Sequence, residues 1–284
     1  MVINCNGKLI DLSSPKVMGI LNITPDSFYD GGINSSIEAI TAKVGKMLAE
    51  GATFIDIGAY SSKPNAAFVS EKEELRRLIP VIEMLAKTFS GLVMSADTFR
   101  SEVARISIES GASAVNDISA GNLDSRMMET AARYNVPYIM MHMKGTPQTM
   151  QRLTSYSDIM KEMLFYFSEK ISMARSLGIN DLIVDPGFGF AKTLEQNFEV
   201  MDKLELLQML ELPVLSGISR KSMVYKTLGT TPQESLNGTT VLNTISLMKG
   251  AKILRVHDVK EAVECVKLYS SLKNGQECDP ANSC

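Results

Sequence analysis

The chain has few cysteines and no CxxC pair: Cys5, Cys265, Cys278 and Cys284 lie scattered toward its two ends. That speaks against a disulfide frame and a cysteine metal site, and predicts free thiols in a reducing, cytoplasmic setting. There is no Lys/Arg run or basic stripe, and the net charge is -3, so neither nucleic acid nor an anionic membrane surface is the expected partner. No apolar stretch approaches the roughly 18 residues of a membrane span, and the opening MVINCNGKL has neither the cationic nor the apolar segment of a signal peptide. Long linkers, low-complexity segments and Ser-His-Asp or Cys-His spacings are missing too. A small anionic ligand stays compatible with the charge balance.

What is present is a large apolar content, 45% over 284 residues, enough for one α/β barrel or for two smaller domains. Eight short strand-like runs punctuate the chain: 16–21, 54–58, 92–97, 113–117, 137–142, 182–187, 213–219 and 253–258. Most of the intervals between them carry helical periodicity. In residues 35–50, Ile37, Ile40, Val44, Met47 and Leu48 share a face, with Ser35 and Glu38 as a capping box and Gly51 as the stop. Ser70 and Glu73 open the next helix in the same manner, ahead of Leu75, Leu78, Ile79, Ile82 and Leu85. Gly51, Gly91, Gly111, Gly178 and Gly250 each close a helix, and GATFID, GASAVND and GAKILRVHD repeat one junction. This βα repeat predicts a single-domain (β/α)8 TIM barrel, with an open doubly wound sheet as the alternative. The barrel is assigned to residues 1–273 and a polar, frayed tail to residues 274–284.

Nearly every run ends in a polar residue: Asn22, Asp56, Asp97, Asn116, His142, Asp185, Ser219 with Lys221, and Arg255 with His257. Singly, an Asp or Asn there is more often a turn former or helix cap, and His142 between two Met reads as a hydrogen-bonded structural histidine. Collectively they mark the C-terminal rim, where such barrels place their chemistry. Asp97, Asn116 and Asp185 suit a ring edge rich in N–H donors, while Arg255, His257 and Lys221 offer charge for phosphate oxygens. Together they suggest a flat nitrogen heterocycle bearing a phosphate ester.

The blocks VMGILNITPDSFYDGG, IDIG, SADT, VNDISAG, MHMKGTPQTMQ, VDPGFGFAKTLEQN, SGISRKSM and LRVHDV resemble, in order and spacing, those of the dihydropteroate synthase family across residues 16–270. NxTPDSF, DPGFGF, SRKS and RVHD together make the match specific. The resemblance implies a transferase of folate biosynthesis, a target class of sulfonamides, that condenses 6-hydroxymethyl-7,8-dihydropterin pyrophosphate with p-aminobenzoate, with Mg2+, typically as a homodimer. It implies catalytic roles for Asn22, Asp56, Lys221, Arg255 and His257, and a pterin pocket of Asp97, Asn116, Asp185, Lys221 and Arg255. Pyrophosphate falls to Asn22, Ser62, Arg255 and His257, the metal to Asn22, and p-aminobenzoate to Phe28, Ser62, Pro64, Phe190, Lys221 and Ser222.

Asn22 to Gly32, with Phe28 and Tyr29, reads as a lid that excludes water from a pterin-methylene cation. The second loop departs from the family: GAYSSKPNA stands where GGESTRPGA is usual, which bears on loop geometry and on the response to sulfonamides. Two alternatives stand beside the synthase reading: a methyltetrahydrofolate-corrinoid methyltransferase-like enzyme, and a non-catalytic pterin-binding paralogue.

Overall fold

The computed structural model describes residues 1–23, 32–60 and 69–276. The lid sequence from Thr24 to Gly31, the stretch containing Ser62 and Pro64, and residues 277–284 lie outside them.

Eight parallel strands run in the order β8-β7-β6-β5-β4-β3-β10-β9. They are β3 (Lys16–Asn22), β4 (Phe54–Gly58), β5 (Val93–Asp97), β6 (Ala114–Asp117), β7 (Tyr138–Met141), β8 (Leu182–Asp185), β9 (Leu215–Ser216) and β10 (Ile253–Val256). A parallel bridge between Val184 and Val214 joins the two outer strands and closes the barrel. The strands consist almost entirely of buried residues, because helices cover them outside and side chains fill them inside. The open-sheet alternative is thereby set aside.

Between strands run α1 (Gly32–Ala49), α2 (Glu71–Thr88), α3 (Ser101–Glu109), α4 (Met127–Tyr134), α5 (Ile159–Ser176), α6 (Leu194–Asp202), α7 (Ser222–Leu228) and α8 (Leu236–Met248), with α9 (Val259–Gln276) at the end. α1 buries Ile40, Val44 and Met47 as its periodicity predicts. Its described part begins at Gly32, so Ser35 lies within the helix and not at the start expected for it. The helical pattern extends upstream of the cap signal, and local signals specify helix ends poorly. Ser70 does cap α2, accepting from the Glu73 amide at 3.2 Å, but the Glu73 carboxylate turns to Arg76 and Arg77 instead of completing the box. A full capping box forms at Thr193 and Gln196, where α6 starts. α9 runs to Gln276, three residues into the stretch assigned to the tail.

An antiparallel hairpin of β1 (Val2–Cys5) and β2 (Lys8–Asp11), turned by Asn6-Gly7 with φ of 52° and 86°, precedes the barrel. The Asn-Gly pair is the sequence signal for such a turn. Its Ile3, Cys5, Ile10 and Leu12 pack on Met18, Phe54, Val93, Ile139, Ile183, Leu215 and Ile253, close to the N-terminal ends of the barrel strands. The hairpin therefore plugs the bottom with apolar side chains, and the polar ones are left to the opposite rim. Cys5 and Cys265 are free, and burial first of all pushes the Cys5 thiol up to about 12.

Candidate active site

Strand register decides which polar residues meet. Asp56 on β4 lies level with Ser95 on β5, and Asp97 lies level with Asn116 on β6. Alternation turns Asp56, Ser95 and Asn116 into the barrel interior while Asp117 points the other way. The Asp117 carboxylate accepts from the amides of Ser119 and Gly121, both at 2.7 Å, and from Tyr138 Oη at 2.6 Å, so its capacity is spent on structure.

Asp56, fully buried, holds the centre of the rim. Its Oδ1 accepts from Ser95 Oγ, and its Oδ2 accepts from Asn116 Nδ2 at 3.0 Å and from Arg255 Nε at 2.5 Å. Arg255 reaches across β3 from β10 and also donates from Nη2 to Asp97 Oδ2 at 2.7 Å. One guanidinium thus ties two carboxylates, one deep and one nearer the mouth. Burial and the neighbouring Asp56 charge push the Asp97 carboxyl up from 3.8 to about 7, with Arg255 pulling the other way.

Asp185 and Lys221 form the facing half. Asp185 Oδ1 accepts from the Gly187 amide at 2.7 Å, and Lys221 Nζ donates to Phe188 O at 2.6 Å. Lys221 also stands 4.9 Å from the centroid of the Phe190 ring. A Cβ placed on Gly217 would sit 3.8 Å from Asp185 Oδ2, 3.8 Å from Lys221 Nζ and 3.9 Å from Arg255 Cβ. The missing side chain at Gly217 therefore leaves a space shared by both halves of the rim. Burial lowers Lys221 to about 8 against the pull of Asp185, and burial raises Asp185 against the pull of Lys221.

Asp97, Asn116, Asp185, Lys221 and Arg255 are accordingly gathered at one mouth. Asn22, exposed, ends β3 in register with Gly58, and Ser222 opens α7 directly after Lys221. Phe28, Ser62 and Pro64 lie outside the described residues.

His257, expected to offer charge for phosphate, follows β10, and burial, with the cations of Arg255 and Arg220 nearby, pushes its imidazole down from 6.5 to about 4. Its backbone amide donates to Ser219 Oγ at 3.1 Å, and its Nδ1 lies 3.1 Å from the same hydroxyl. His142 is buried, with Nδ1 3.1 Å from Lys192 Nζ, consistent with its structural reading.

Ser95, which strand alternation puts on the same side as Asp97, is a partner of Asp56. Two groups escaped the sequence reading as parts of the site. Lys192 is a lysine only 5% exposed beneath the Asp185 turn. Arg220, at φ 56°, donates to both Asp258 oxygens at 2.9 and 2.6 Å and ties SRKS to RVHD. The Lys in DPGFGFAKT carried no signal, because only the turn's shape buries it.

The pterin binding enzyme family model matches residues 18–257. The chain is 42% identical over 279 residues to the dihydropteroate synthase of Escherichia coli (strain K12), covering 98% of each. It superposes with a TM-score of 0.90 on a Yersinia pestis dihydropteroate synthase in complex with a sulfonamide drug, at 42% identity over 96% of this chain and 100% of that one. The Xanthomonas albilineans dihydropteroate synthase with 4-aminobenzoic acid gives a TM-score of 0.88 at 36% identity, covering 96% of this chain and 98% of that one. A closed parallel barrel, the family model over residues 18–257 and full-length likeness to these enzymes agree, and the chain belongs to the dihydropteroate synthase family of pterin-binding enzymes.

Proposed function

We propose that the chain condenses 6-hydroxymethyl-7,8-dihydropterin pyrophosphate with p-aminobenzoate, releasing 7,8-dihydropteroate and pyrophosphate, the reaction of its family. The methylene C–O bond breaks with its electron pair leaving on pyrophosphate. The aniline nitrogen then forms the new C–N bond and loses a proton. Asp97, Asn116 and Asp185 hold the pterin N–H edge, with Lys221 donating to the ring's acceptor side. Carboxylates at that edge orient the ring and favour positive charge developing on it. Arg255 lies along the ring face and, with the neutral His257 and Asn22, receives the departing diphosphate. Asp56 acts through others: it fixes Arg255 and Asn116.

Phe190, Lys221 and Ser222 face p-aminobenzoate, joined by Phe28, Ser62 and Pro64. A compound of this class is bound by the Xanthomonas albilineans relative. Among the described residues no group of three or more His, Cys, Asp or Glu side chains is placed to hold a metal. Mg2+ bound through substrate phosphates needs only one or two protein oxygens, and the Asn22 amide at the end of β3 fits that need. When bound, Mg2+ neutralises charge building on the diphosphate.

We also assign the active form as a homodimer in the cytoplasm. Val241, Ile245 and Met248 stand 51%, 36% and 52% exposed at helical spacing on α8, and Leu268 and Leu272 are 74% and 51% exposed on α9. That apolar surface suits a second copy. Light scattering at twice 31.1 kDa supports the dimer, and a mass of 31.1 kDa at working concentration refutes it.

The observation that carries the reading is Arg255 bridging Asp56 and Asp97 beside Asp185 and Lys221. The test is incubation with dihydropterin pyrophosphate, p-aminobenzoate and Mg2+. Dihydropteroate with equimolar pyrophosphate is expected. Absence of both products sinks the proposal.

A further inference from the structure

Lys192 is a lysine where lysine is seldom found. It is 5% exposed, burial pulls its amine down to about 7 against the pull of Asp185, and its Nζ has three partners: Gly187 O at 3.0 Å, Phe190 O at 3.1 Å and His142 Nδ1 at 3.1 Å. Three donors meet three acceptors, which is the condition for keeping such a group buried. Burial, aided by Lys192, pushes His142 far below 6.5, and in the neutral tautomer protonated at Nε2 its Nδ1 accepts.

The segment it holds is an irregular turn. Gly187, Gly189 and Ala191 all have positive φ, at 68°, 82° and 48°. Such a turn keeps its shape only where its surroundings over-determine it. Both backbone groups of Gly187 are gripped, its N–H by Asp185 and its C=O by Lys192 and by the Phe190 amide at 3.1 Å. Phe188 O accepts from Lys221, Ala191 O accepts from Tyr156 Oη at 2.9 Å, and the Gly189 amide donates to Asn197 Oδ1 at 2.6 Å. Lys192 holds two carbonyls of the turn itself, that of Gly187, just before the Phe188 that meets Lys221, and that of Phe190, which presents the ring.

We propose that Lys192 is a positioning residue that locks the Gly187–Ala191 turn from beneath, and so sets the height of the Phe190 ring against Lys221 and with it the affinity for the arylamine substrate. This rests on the synthase reading above. Lys192 does not touch either substrate. It acts through the backbone of a turn whose far side forms the pocket wall.

The test is steady-state kinetics of Lys192→Met, varying each substrate at saturating levels of the other. The expected result is KM for p-aminobenzoate raised about tenfold or more, with KM for dihydropterin pyrophosphate changed less than about threefold, the worth of about one charge-assisted hydrogen bond to a positioned carbonyl. His142→Gln, which leaves both carbonyl clamps in place, is expected to change KM for p-aminobenzoate less than about threefold. A merely packing role lowers Tm and the yield of active enzyme while both KM values stay at the parent level, and that result overturns the proposal. If Lys192→Met gives no folded protein, the same split is read in Lys192→Gln, whose amide reaches one carbonyl. Failure of both variants to fold assigns Lys192 to packing and also overturns it. An inactive parent enzyme refutes the synthase reading, whereas an active parent with unmoved KM values refutes only the role of Lys192.

Discussion

Asp56 offers the sharpest test of the rim network, because it is fully buried and its three partners are all protein groups. In Asp56→Asn the shape persists. The amide oxygen accepts from Arg255 Nε and Asn116 Nδ2, while the amide N–H donates to Ser95 Oγ. Only the charge goes, and a charge-assisted bond of about 1.5–3 kcal/mol becomes a neutral one of about 0.5–1.5 kcal/mol, a loss of about 1–2 kcal/mol. Asp56→Ala removes every bond. Breaking a buried pair costs about 3–5 kcal/mol, and the surviving Arg255–Asp97 contact places this case at the lower end, about 3–4 kcal/mol. An unfolding entropy of roughly 2.1 cal/mol/K per residue over 284 residues makes each kcal/mol worth about 1.7 °C. Thermal denaturation should therefore show Tm lowered by about 2–3 °C in Asp56→Asn and about 5–7 °C in Asp56→Ala. Calorimetry with dihydropterin pyrophosphate should rank affinity in the same order, because Arg255 and Asn116 lose the group that aims them. Equal Tm values for the two variants, or an alanine variant within about 1 °C of the parent, would refute the reasoning.

Asp97 predicts a pH signature with opposite signs for folding and binding. Its carboxyl, raised from 3.8 to about 7, contributes stability that is complete below pH 3.8 and is lost as pH rises through about 7. In the proposed pterin pocket Asp97 accepts in its ionised form, so affinity for dihydropterin pyrophosphate measured by calorimetry should be about tenfold weaker at pH 6 than at pH 8. Asp97→Asn should flatten that profile; a parent-like slope in this variant removes Asp97 as its source. Gly187→Ala is expected to impair folding or turnover severely, because φ is 68° and the new Cβ would stand 2.3 Å from His142 O. Parent-like Tm and kcat in this variant would show that the turn relaxes without consequence. Phe167→Ala, fully buried beside Met163 and Tyr166 on α5, should cost about 3–5 kcal/mol in denaturant unfolding with little change in KM.

The local chemistry of the chain settled much of this protein. Strand positions follow from short apolar runs bounded by Gly and Pro, and α1 and α2 from apolar spacing, because backbone geometry imposes periods of 2 and 3.6 on any buried face. Gly51, Gly91, Gly111, Gly178 and Gly250 all take the positive φ that a helix stop favours. Polar residues at the strand ends came to one rim because parallel strands share a direction. The Asn6-Gly7 hairpin was legible as a turn signal but passed unread.

Other features belong to tertiary structure alone. Which oxygen of Asp56 meets Arg255 depends on strand stagger across β3, to which no residue type testifies. Glu74 is buried in α2 against Arg100, although its neighbours in sequence mark it as a surface acid. The His257 imidazole is pushed down and Lys192 finds three acceptors through partners brought close by the barrel. Periodicity is a property of a segment and survives in the sequence. Desolvation and hydrogen-bond satisfaction depend on which distant segments close over a group, so they exist only once the barrel has formed.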